Sequence, residues 1–285
     1  MTAAGYWDPG WRARLEVTGA VARAWLRQMR RYRGWLVLDI IMPIMLTALP
    51  VFLGRAVGGA NAAENFRLNT GTANYVAYLI IGSNVFVIVT SSLWNFGMWM
   101  RREQTTGTLE SLYLAPVSRL WILAGIALYS AIRASVTSSI AFTLGCLIFG
   151  VNPLVGNVGL AFLFLWVGLI PLYGLSFLYG ALILKVKEAN ALINLTQWVV
   201  NFLMGVYFPV TVLPPLLRWI AWAFPPTWMT NGVRAALLGV GFFLDQWYRD
   251  LAVLWAFVVI TPMLSYWVFL NTERALRRAQ GVGQY

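Results

Sequence analysis

The sequence predicts an all-α membrane protein: six transmembrane helices, an N-terminal amphipathic interface helix, a short cytoplasmic helix between the second and third spans, and a re-entrant outer-leaflet helical hairpin before the last span. Three observations predict it. Of 285 residues, 60% are apolar and 11% charged, where a soluble domain carries about a quarter charged. Apolar runs of the length a bilayer demands, about 20 residues, recur along the chain. The 21 Lys and Arg outnumber the 10 Asp and Glu and gather in particular links, as positive charge does on the cytoplasmic side. One cysteine, Cys146, and no histidine exclude a disulfide framework, the commonest proton shuttle and Cys/His metal sites. Work by side-chain chemistry is not expected.

The first element, residues 1–34, carries Arg12, Arg14, Arg23, Arg27, Arg30, Arg31 and Arg33. It lacks a long apolar core, so it reads as neither a leader nor a span. At 100° per residue Arg23, Arg27, Arg30 and Arg31 share one face, with Val21, Ala22, Trp25, Leu26, Met29 and Tyr32 opposite. That pattern predicts a helix lying on an anionic lipid surface. A basic orientation signal without fixed shape would need only the charges.

The rest, residues 35–285, reads as one membrane domain with spans at about 35–53, 75–98, 120–149, 158–184, 191–213 and 251–270. Six spans put both ends on one side. By that layout fifteen Lys and Arg fall on the side of the termini, and five (Arg55, Arg67, Arg218, Arg234 and Arg249) on the other. The bias places both termini in the cytoplasm of a multi-pass inner (plasma) membrane protein. Between the last two spans, the stretch 214–248 is apolar but interrupted by Pro214, Pro215, Pro225 and Pro226. A helix over 216–224 would be only about 14 Å long, so two short helices are expected to dip into the outer leaflet, covered by protein.

The link 101–119 is too polar for lipid. Gly107 suits a helix N-cap with Glu110 in the first turn, Leu109, Leu112 and Tyr113 share a face, and Pro116 ends the helix after about two turns. Such a helix fits a shallow groove on another protein, or packs on its own neighbours.

The run EQTTGTLESLYLAPVSR, residues 103–119, resembles the first cytoplasmic loop of type 2 ATP-binding-cassette (ABC) exporter permeases, through Glu103, Gly107, Thr108, Leu109, Glu110, Leu112 and Pro116. The FP…LPP…PPTW…GVR stretch is similar to that family's outer-leaflet hairpin. Gly125-Ile126 stands where many relatives have Gly-Lys. The resemblance implies that Glu103, Gly107, Thr108, Leu109, Glu110, Leu112 and Tyr113 dock on a separate ABC ATPase subunit, two copies of which would work with two copies of the permease. The sequence has no G-x-x-x-x-G-K-[ST] phosphate loop, and its only lysines, Lys185 and Lys187, sit in a short turn. ATP and Mg are therefore expected in the partner subunit, with no cofactor and no enzymatic activity in this chain.

Two spans carry polar stripes: Asn84, Ser91 and Asn95 in the second, and Asn190, Asn194, Gln197 and Asn201 in the fifth. Amides facing lipid would be left unsatisfied, so these faces either line a route or bond between helices. The resemblance puts the second and fifth helices beside the transport route, making Asn84, Ser91, Asn95, Asn194, Gln197 and Asn201 its lining, with Phe208 and Pro209 as an outer gate. Asp39 and Arg133 are isolated charges at similar depth near the inner side, where a lone charge costs about 2.5–3.5 kcal/mol. They are expected to pair, or Arg133 to reach lipid phosphate. A polar, uncharged lining fits export of an amphipathic lipid, glycolipid or drug, with a lipid-linked polysaccharide as the alternative cargo. An ATP-independent channel or ion-coupled transporter would need no docking loop.

Overall fold

The computed structural model describes residues 10–31, 33–59, 62–105, 119–152, 156–183, 186 and 189–278. The described residues are helical apart from short links. In chain order the helices are α1 (Trp11–Arg31), α2 (Arg33–Gly58), α3 (Ala62–Thr70), α4 (Tyr75–Thr105), α5 (Arg119–Phe149), α6 (Val158–Ile183), α7 (Ala189–Leu203), α8 (Pro215–Trp222), α9 (Pro225–Leu238) and α10 (Trp247–Arg278). Among the described residues, five segments are long and apolar enough to cross a membrane: Gly34–Gly58, Tyr75–Trp99, Trp121–Phe149, Val158–Gly180 and Trp247–Val268.

The apolar run 191–213 is not a single helix. α7 is 15 residues long, about 22 Å, against a hydrocarbon core of about 30 Å. Its end is a Schellman cap: Gly205 is left-handed at φ +59, its N–H donates to Phe202 O at 3.1 Å, and that of Val206 to Asn201 O at 3.3 Å. Pro209 then caps a turn of 3₁₀ helix, Val210–Val212. Both short hairpin helices begin with proline at the first helical position, where no N–H is needed.

α4 is the most buried of the five crossing helices and packs against α2, α5, α6, α7 and α9. α6 and α10 form the most extensive helix pair. They approach through small residues: Ser265 Oγ donates to Gly174 O at 2.5 Å and Thr261 Oγ1 to Pro171 O at 3.3 Å, as expected where apolar burial does not drive helix association. α9 is buried from Pro225 to Leu237 except at Asn231. It is seated by reciprocal fit, since a side chain at Gly232 would overlap Phe164 of α6 and one at Gly168 of α6 would overlap Met229.

α1 packs along the start of α5. Thr18 Oγ1 donates to Trp121 O at 3.1 Å, the Trp25 and Tyr129 rings lie 5.7 Å apart, and a Cβ at Gly125 would sit 2.7 Å from Thr18 O. The apolar face that the sequence alone assigns to lipid is thus covered in large part by protein. Arg12, Arg23, Arg27 and Arg31 are exposed on the other side.

Candidate functional site

Between α4, α5, α6 and α9 lies a cavity of about 210 Å³ bordered by Asn84, Ser138, Phe142, Phe162, Leu165 and Val233 among others. Its walls are chiefly apolar. Asn84 is 4% exposed and its Oδ1 accepts a hydrogen bond from Ser138 Oγ at 3.0 Å, so this amide bonds between α4 and α5 while bordering the cavity. A second space of only about 10 Å³, enough for one water, touches Asp39, Asn84, Ser91, Thr137 and Ser138. Ser91 donates its own hydroxyl to Ile88 O at 3.1 Å. Asn95 is half-buried further along α4.

The stripe on α7 stands apart from these cavities. Asn194 is exposed, Gln197 half-buried and Asn201 buried, and none of the three borders either space. Leu195, Trp198, Val199 and Phe202 of the same helix are exposed. Phe208 rests on Phe202, ring centroids 5.5 Å apart, and packs with Pro209 beside the 3₁₀ turn, where Val210, Leu213 and Ala221 are buried.

Asp39 and Arg133 are brought together. Arg133 Nε donates to Asp39 Oδ2 at 2.7 Å, and Nη2 reaches the same oxygen at 2.6 Å. The two side chains are 16% and 13% exposed, shielded enough for the bonds to hold α2 to α5. Glu103 lies in the last turn of α4. Gly107, Thr108, Leu109, Glu110, Leu112 and Tyr113 fall outside the described residues.

Sequence reading missed Arg234, which charge counting places among the exposed outer cations. It is 3% exposed. Nη1 donates to Gly205 O at 2.8 Å, Nη2 to Val206 O at 2.6 Å and Nε to Tyr78 O at 3.3 Å, while the guanidinium lies 3.6 Å from the centroid of the Tyr78 ring. The carbonyls freed by the break after α7 are thus satisfied by a cation from α9, with Thr227 Oγ1 serving Leu203 O at 3.3 Å. The signal for the break was present, a glycine after the last helical turn and a proline four residues on. Nothing local marks its arginine partner.

Among the described residues no group of three or more Asp, Glu, Cys or His could hold a metal ion. The described residues form bonded helices around one chiefly apolar cavity and one small space with polar borders. The family model for ABC-2 type transporters matches residues 17–238. The chain belongs to that family. Comparison with curated proteins finds no significant match. As an ABC-2 type transporter the protein is a multi-pass membrane permease, and the matched region runs from α1 through α9.

Proposed function

We propose that this chain is the membrane half-subunit of an ABC exporter. Two copies work with two copies of a separate ATPase subunit, in the inner (plasma) membrane with both termini cytoplasmic, and export an amphipathic lipid, glycolipid or drug. The observation that carries the reading is the ABC-2 family match over residues 17–238. The run Glu103–Pro116 begins in the last turn of α4, a helix of 31 residues and about 46 Å, and supports the docking role. The partner's closure on ATP would push this run, and the helices would rock as rigid bodies. An apolar cavity bordered by one amide and a few hydroxyls supports a cargo with an acyl or otherwise apolar part. Asn84, Ser91, Asn95, Asn194, Gln197 and Asn201 would line the route, and Phe208 and Pro209 would close its outer end.

Affinity purification of the full chain from its own membranes is the first test, and an ABC ATPase is expected to accompany it. Replacing Leu109 and Tyr113 by Asp should remove the stimulation of that ATPase and ATP-driven export together. Flux that persists without ATPase, or in the doubly substituted chain, overturns the reading.

A further inference from the structure

We propose that Arg234 is a mechanical tie, fastening the broken end of α7, and with it Phe208 and Pro209, to the Tyr75 end of α4. Displacement entering α4 from residues 101–119 would then reach the exit segment directly. The proposal rests on the exporter reading. α4 has no proline or break between Tyr75 and Thr105, so its two ends move together. From Tyr78 to the last turn of α4 is about 38 Å, and this is the span the tie would bridge to the outer side.

The contacts explain why the joint should be rigid. Arg234 bonds acceptors on two elements at once, Tyr78 O on α4 and Gly205 O and Val206 O beyond α7. A guanidinium spreads its donors over three nitrogens in a rigid plane, which suits three separated carbonyls, whereas a lysine's three donors radiate from one nitrogen on a flexible stem. Gly82 leaves the guanidinium its place: a methyl there would overlap both Arg234 Nη2 and Val206 O. The two elements cannot part without leaving a buried cation short of acceptors, which is costly. A residue that merely capped α7 would not need the bond to Tyr78 O.

The test uses the full chain in lipid nanodiscs with its co-purified ATPase. Spin labels are placed at Ala73→Cys and Thr211→Cys, both exposed, in a Cys146→Ala background. With Arg234 present, the distance between labels is expected to be narrow and equal without nucleotide and with ATP and vanadate, and with Arg234→Lys to broaden or depend on nucleotide. A shift of several ångströms between nucleotide states with Arg234 in place overturns the proposal, as does an equally narrow, unchanging distance in Arg234→Lys. Should Arg234→Lys fail to assemble, the first comparison needs only the native arginine, and Gly82→Ala serves as the second disturbance. A purely structural role would lower yield or melting temperature and leave the distances alone. Absence of any co-purifying ATPase would sink the exporter reading instead, and the Arg234→Lys comparison in the chain alone would still show whether the joint depends on this arginine.

Discussion

Asp39 and Arg133 illustrate what a single pair of charges decides inside a membrane. Removing one leaves the other without a counter-ion at hydrocarbon depth, worth about 2.5–3.5 kcal/mol on insertion scales. We expect Arg133→Ala and Asp39→Ala each to lower unfolding stability in phospholipid bicelles by about 2 kcal/mol, and the double variant to fall short of their sum by about 1 kcal/mol or more. Additive losses would mean that Arg133 reaches lipid phosphate instead. This pair was legible because both partners are isolated charges at computable depths in regular helices. Arg234 was not, because its immediate neighbours Val233 and Ala235 give no hint of its acceptors, and what buries it is a carbonyl 156 positions away in the chain together with the bare backbone of Gly82.

The five long helices were readable from apolar length, whereas the helix Ala62–Thr70, the early end of α7 and the partners of each helix were not. The N-terminal helix shows the difference, since its two-faced pattern fixes the helix but fits lipid and protein equally well. Gly125 decides for α5, with Thr18 and Val21 close against it. Gly125→Val should wedge α1 away by more than a rotamer change can absorb, costing about 1–3 kcal/mol. The expected readout is faster limited proteolysis within residues 11–31, while proteolysis of the α6–α10 pair stays unchanged. A cleavage pattern like that of the unsubstituted chain would mean that α1 is held by the bilayer. For α7 the sequence gives an apolar run long enough to cross, yet Gly205 stops the helix early because a left-handed residue there lets two loose N–H groups turn back onto the last carbonyls.

At the scale of the molecule, five segments among the described residues are long and apolar enough to cross a membrane, and the shorter α7 carries exposed Leu195, Trp198, Val199 and Phe202 on its flank. Native mass measurement of the purified complex should give two copies of this chain with two ATPase subunits, and a single chain carrying cargo unaided would refute the half-subunit reading. The five long apolar helices and the two short helices that begin with proline are written in composition and proline spacing. The way they lock together is written in small residues whose meaning depends on what faces them. The helix break also sets an order on biosynthesis. The carbonyls of Gly205 and Val206 are synthesised before Arg234, and a bare carbonyl finds no donor in hydrocarbon. The end of α7 therefore depends on a residue made later, and a nascent chain halted before Arg234 is expected to leave these two carbonyls without their cation.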